Sequence, residues 1–288
     1  MTLSEFLQHT PAQRSLLGCL MIGFANGYVS GFVVLRRTAL EIGTLSHSLL
    51  PGIAVAVLLY GLSDWSTLLG AVLAALMVGL GSLLVSRTSR LDRDTAMGIL
   101  YTTAFACGII ILTKLSLQQK LQEWIFGSIQ AMQDSDLWTA YFISFIAVLL
   151  LTALQRPMLI FLFEPNVAAS LGVPVRFLNY SLYTLIVLVL VSSLQAVGCI
   201  LSVGLLIIPA ATVYLLTDKA SGLFWGGALV GTLGSLLAFY LQLPLDWPLG
   251  PTILVVLGCF FLIAYLLGPR YGLLVNRKKT RAGPSANS

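Results

Sequence analysis

Charge is what this chain has least of. Only 9% of its 288 residues are Asp, Glu, Lys or Arg, against roughly 25% in a soluble domain. A water-soluble fold this poor in charge would expose large apolar patches and associate. Histidine is scarcer still, with two copies, His9 and His47. The four cysteines, Cys19, Cys107, Cys199 and Cys259, each lie inside an apolar run at spacings far from C-x-x-C. A disulfide framework accounts for them less well than thiols packed as small hydrophobes. No G-x-x-x-x-G-K-[ST] phosphate loop is present, which excludes ATP hydrolysis through that motif. Residues 1–14 lack the basic start and small-residue cleavage site of a secretory signal, so the first apolar run is expected to persist as a helix.

Hydrophobic residues fill 58% of the chain and its mean hydropathy is +0.94. Lipid is the solvent that suits this composition. A spanning helix needs about 20 mostly apolar residues. Candidate spans are 15–35, 44–62, 66–86, 95–113, 137–155, 178–196, 198–217, 221–241 and 250–268. The second is interrupted by Pro51-Gly52, and such breaks are tolerated where backbone is buried in protein or lines a cavity. Trp124 to Met132 reads as a further interfacial or re-entrant piece. The expected fold is all-α: a polytopic transmembrane helical bundle of eight or nine spans, one transmembrane domain over 1–288. The domain's appendages are a polar N-terminal segment (1–14), a loop at 156–176 and a basic tail (269–288).

Thirteen of the sixteen Lys and Arg residues fall on one side of this scheme, the exceptions being Arg14, Lys114 and Lys120. The positive-inside rule makes the richer side, with the C-terminus, cytoplasmic. The net charge of +5 is thus dispersed at span ends and implies no nucleic-acid partner. Such a protein is multi-pass in the cell's inner membrane, with the bilayer as its first partner.

An ionisable side chain inside a membrane is expensive and usually faces a cavity, a partner or a pathway. His47 is the one histidine in such a setting. The alternative is an imidazole hydrogen-bonded to a neighbouring carbonyl as helix glue. Period-four rows of glycine, Gly23, Gly27 and Gly31 in the first span and Gly227 and Gly231 in the eighth, let helix backbones approach closely, within a bundle or across a dimer. In the 156–176 loop, Pro165 is suited to open a short helix and Gly172 to close it. That helix is either a docking piece for a soluble partner or a cap on the bundle.

Several short motifs recur in order. They are Leu35-Arg36-Arg37, Ser46-His47, Leu50-Pro51-Gly52, Asp94-Thr95-Ala96-Met97-Gly98, Phe126-Gly127-Ser128, the run Gly204 to Thr212 ending in Pro209-Ala210-Ala211-Thr212, and Asp246-Trp247-Pro248-Leu249-Gly250-Pro251. From about residue 15 to 268 the chain resembles the permease subunits of ABC importers for zinc, manganese and iron.

The resemblance implies a permease homodimer, or a heterodimer with a sister permease. It implies cytoplasmic ABC ATPase subunits that carry the ATP, and an extracytoplasmic metal-binding protein that delivers the cargo. The permease itself is then not an enzyme and holds no permanent cofactor. The transported divalent ion (zinc, manganese or iron) passes by alternating access. The coupling segment maps to Glu164, Pro165, Ala168, Ala169 and Gly172. His47 is the expected metal contact. Where the family places an Asp four residues earlier, this chain has Gly43, and Glu41 is the substitute candidate. Asp64 and Asp246 would steer cations at the outer face or stand as solvated loop charges.

Two other readings stand beside this one. A permease of the same class would carry a bulkier chelate such as a siderophore. An ion-coupled secondary transporter would need several intramembrane acids or bases, and the spans here carry almost none.

Overall fold

The protein is described by a computed structural model over residues 10–61, 63–115, 134–245 and 247–268. Among these residues every regular element is a helix. They run α1 (Thr10–Arg36), α2 (Ala39–Tyr60), α3 (Asp64–Thr88), α4 (Arg93–Lys114), α5 (Asp134–Ala153), α6 (Gln155–Phe163), α7 (Pro165–Ser170), α8 (Val175–Val197), α9 (Cys199–Tyr214), α10 (Ala220–Leu245) and α11 (Leu249–Leu267).

Each of the nine apolar runs lies on a helix. Seven helices are long and apolar enough to cross a membrane, and the α5–α6 pair adds an eighth if taken as one bent span. The ninth run is α9, apolar but only 16 residues long. At 1.5 Å per residue it spans about 24 Å, short of a full hydrocarbon core. It follows α8 after a single residue, Gly198, whose φ of +85° only glycine adopts cheaply. The expected re-entrant piece at 124–132 and the tail at 269–288 lie outside the described residues. The N-terminal segment is described only from Thr10, where α1 already begins, five residues ahead of the expected start.

Local chemistry marks the ends. Ser63 and Ser66 form a reciprocal capping box at the start of α3, each backbone N–H donating to the other's Oγ at 3.2 Å. Asp92 caps α4 by accepting the Thr95 N–H at 3.2 Å. These bonds to its charged form hold the exposed Asp92 carboxyl below its ordinary pKa.

Pro51 does not break α2, which continues through it from Ala39 to Tyr60. The missing Pro N–H costs one helical bond, and close packing on both sides offsets it. Gly108 of α4 lies against Pro51, while Gly52 and Gly70 of α3 pack backbone to backbone. The 156–176 loop contains two helices. After Ala153 the chain bends by 69° into α6, with Pro157 in its first turn, where the absent N–H is harmless.

The glycine rows meet each other inside one chain. A Cβ at Gly27 would strike the Gly227 carbonyl and one at Gly227 the Gly27 carbonyl; Gly23 and Gly231 repeat the relation one turn on. Gly31 instead makes room for the Phe224 ring. Lipid tails are as apolar as leucine, so close backbone approach of this kind is a main source of helix association in a bilayer. The α1–α10 seam is extended by Tyr28, Phe32 and Phe224, all fully buried, with the Phe32 and Phe224 rings 4.4 Å apart. Ser30 fastens α9 to it: the Ala210 N–H, just past the proline at 209, donates to Ser30 Oγ at 3.1 Å.

Candidate functional site

His47 sits in the third turn of α2, half-buried, facing α4. The two helices run parallel and meet at three levels. Thr44 Oγ1 lies 2.9 Å from the sulfur of Met97. The His47 ring stacks on Tyr101 at 6.2 Å and meets the edge of Phe105 at 5.6 Å. Pro51 rests on Gly108. The residues of α4 at these levels, Met97, Tyr101, Phe105 and Gly108, share one face at helical spacing.

Aromatic rings pack against the imidazole. Among the described residues no donor or acceptor bonds either ring nitrogen. A neutral imidazole with an uncommitted nitrogen is a metal ligand in waiting. Pro51 adds a second donor at the same residue. It stands four positions after His47 and brings no N–H, so the His47 carbonyl loses its usual i+4 donor. One residue thus offers an imidazole nitrogen and a carbonyl oxygen.

Position 43, one turn back on the same face, is open: a Cβ on Gly43 would meet nothing within 4 Å. Glu41 does not fill that space. Its carboxylate pairs with the guanidinium of Arg93 at 3.4 Å, at the basic end of α2 and α4. The structure therefore separates the two expected metal ligands: His47 packs with aromatic rings and Glu41 is held by an arginine. Six residues put them on different faces of an unbroken helix. No group of three or more His, Cys, Asp or Glu that could enclose an ion occurs among the described residues. The side chains of Asp64 and Asp246 lie outside the described set.

At the other candidate locus, Glu164 precedes α7 and Pro165 is its first residue. Gly172 takes φ +76°, and Val173 and Gly172 donate their N–H groups to the Ala168 and Ala169 carbonyls at 3.0 and 3.1 Å. This is a left-handed helix C-cap. Ala168 is fully buried and anchors the helix, while Glu164, Pro165 and Ala169 are exposed. Phe163, Val167 and Leu171, four residues apart, expose an apolar stripe at 62%, 47% and 65%.

The sequence alone did not point to Thr44, Met97, Tyr101, Phe105 or Gly108. The four-residue spacing of Tyr101 and Phe105 was a visible signal, but nothing in one sequence sets the register between two helices.

Comparison with known proteins gives consistent results. The family described as the ABC 3 transport family matches residues 8–268. The manganese transport system membrane protein MntC of Listeria innocua serovar 6a is 33% identical over 277 residues, 96% of this chain and 98% of that protein. The probable iron transport system membrane protein of Haemophilus influenzae is 31% identical over 269 residues, 92% and 93% of the two chains. Among solved structures, PsaBC from Streptococcus pneumoniae in complex with Fab superposes with a TM-score of 0.86 at 29% identity. The match covers 96% of this chain and all of that one.

Proposed function

This chain belongs to the ABC 3 transport family, and from that membership we propose that it is the permease through which an ATP-driven importer brings a divalent transition metal, manganese or iron, into the cytoplasm. It is a multi-pass membrane transport subunit and not an enzyme. ATP is bound and hydrolysed on separate cytoplasmic subunits, and an extracytoplasmic binding protein delivers the ion. The basic ends of the helices, with α7 and the C-terminus, face the cytoplasm, in keeping with the positive-inside rule. The exposed Phe163, Val167 and Leu171 stripe supports α7 as the contact through which the ATPase drives alternation between outward- and inward-open states.

The single observation that carries the cargo reading is His47: an imidazole whose nitrogens bond none of the described residues, packed against Tyr101 and Phe105, with Pro51 removing the usual i+4 donor to its carbonyl. Among the described residues a single chain offers one strong ligand and no enclosing cage. That suits an ion which must leave as readily as it arrives. A second permease copy, or a sister chain, supplies the remaining ligands. The low burial of α4, the least buried span, is in keeping with a partner on that side.

The test is uptake of radiolabelled manganese, iron and zinc in cells carrying the permease with its ATPase and binding protein. Manganese or iron accumulates in the wild type, and His47→Ala at equal membrane abundance abolishes the accumulation. Uptake that persists in His47→Ala removes His47 from the path. A complex that assembles and hydrolyses ATP but accumulates no metal ion overturns the cargo.

A further inference from the structure

Two arginines that metal transport does not use line a polar cavity at the basic end of α3 and α8. Its volume is about 280 Å³, and its walls are Arg87, Arg176, Asn179 and Tyr180, with no carboxylate among them. Arg87 lies in the last turn of α3 and Arg176 in the first turn of α8. The cavity therefore sits at the depth where a membrane span meets water.

Packing between the two helices produces it. Higher up, α3 and α8 touch at Gly79, where the Tyr183 ring occupies the space a Cβ would take. Between that contact and the basic ends of the two helices lies the cavity, a wedge lined by both. Tyr183 also lies beside the Arg36, Glu41 and Arg93 group, in which one carboxylate faces two guanidinium groups. Within that group Arg36 Nη1, Arg93 Nε and the Tyr183 hydroxyl are buried without a hydrogen-bond partner. The cavity itself presents two guanidinium groups and no carboxylate.

An exposed apolar stripe of α3 ends at the cavity's Arg87. Leu73, Met77, Leu80 and Leu84 expose 59%, 73%, 53% and 64% of their surface. Their spacing of four, three and four residues makes one stripe along α3, and Arg87 continues it three residues on. A stripe of leucines ending in a two-arginine pocket matches an acyl chain ending in a phosphodiester. A soluble acidic partner would use the arginines and leave the stripe unexplained.

We propose that this wedge binds an anionic phospholipid, its headgroup phosphate bridging Arg87 and Arg176 and one acyl chain lying along the α3 stripe. Arginine pairs phosphate through two parallel N–H bonds. Asn179 and Tyr180 add neutral donors. Basic pockets between spans on the cytoplasmic side are where such headgroups are held.

Native mass spectrometry of the detergent-purified full-length protein tests this. Delipidated protein is titrated with phosphatidylglycerol, with phosphatidylcholine of the same chains, and with inorganic phosphate. Phosphatidylglycerol is expected to bind at least tenfold tighter than phosphatidylcholine, with phosphate alone far weaker. The double variant Arg87→Gln/Arg176→Gln is expected to lose roughly 30-fold in phosphatidylglycerol affinity, and Arg87→Lys/Arg176→Lys, which keeps the charge but not the paired N–H bonds, to fall between it and the wild type. Equal affinity for the two lipids overturns the proposal without recourse to any variant. Phosphate binding as tight as the lipid assigns the cavity to a soluble anion and overturns the lipid. An unchanged Gln double variant moves the lipid elsewhere and overturns the site.

Discussion

Pro51 of α2 and Gly108 of α4 are in backbone contact. A Cβ at position 108 would fall 2.6 Å from the Pro51 Cα and 2.8 Å from its nitrogen. Neither atom belongs to a flexible side chain, so nothing can turn aside. This contact fixes the spacing of the two helices that flank His47.

Gly108→Ala is accordingly expected to push α4 off α2. Overpacking of this kind costs about 1–3 kcal/mol. The apparent unfolding temperature in detergent falls, and metal uptake falls with it because Phe105 and Tyr101 no longer brace the imidazole. A Gly108→Ala protein with wild-type melting and uptake would contradict the packing described.

Gly43→Asp tests the open face beside His47. The added side chain has free space, so melting stays close to wild type. A carboxylate one turn from the imidazole gives the pair of ligands that a single chain lacks. Manganese affinity, measured by isothermal titration of the purified permease, rises at least tenfold (about 1.4 kcal/mol). No gain in affinity in a folded Gly43→Asp protein would mean that position 43 does not look onto the ion's path.

Glu41→Gln separates ligand from ion pair. The pair with Arg93 is partly exposed, Arg93 more than Glu41, so its loss costs about 1 kcal/mol. Melting drops modestly and metal affinity does not change. A Glu41→Gln protein that melts normally but loses metal binding would return Glu41 to the ligand set.

The glycine seam and a control glycine are expected to behave oppositely. Gly27→Ala forces a Cβ onto the Gly227 carbonyl and destabilises by about 1–3 kcal/mol. Gly258→Ala in α11 meets nothing within 4 Å and is neutral or stabilising by up to about 1 kcal/mol, since alanine favours the helix. Thermal scans of both variants side by side give the comparison, and equal losses would show the seam is not special.

Val167→Asp with Leu171→Asp places charge on the exposed stripe of α7. Both side chains point away from the bundle, so the permease folds normally. Its copurification with the ATPase, and ATPase stimulation by loaded binding protein, are expected to fall at least tenfold. Intact assembly would remove α7 from the docking surface.

Much of this was legible in the sequence because the bilayer imposes one rule: spans must be long, apolar and helical. The nine runs follow from that rule alone. So does the short helix between Pro165 and Gly172, where two residues with restricted or unusual φ mark both ends. The bend after Ala153 was signalled only by Pro157, whose effect in a first turn is mild. Pro51 was read as a break because proline removes a donor, yet Gly52, Gly70 and Gly108 pack closely enough to keep the helix whole. Those glycines form no row, so only the register between helices reveals them. The same register places Tyr101 and Phe105 at His47 and Arg93 at Glu41, and it depends on three helices at once.

Gly198 has a mechanical consequence. α8 begins beside α7 and runs 23 residues, a stiff rod of about 34 Å, before a single left-handed residue hands the chain to α9. One residue stores no slack. A push delivered at the foot of α8 cannot be absorbed in a linker; it either swings α9 about that one joint or carries it bodily. Because the Ala210 N–H of α9 grips Ser30, α1 and its zipped companion α10 are dragged along. The joint thus divides the bundle into a lever and the load it moves.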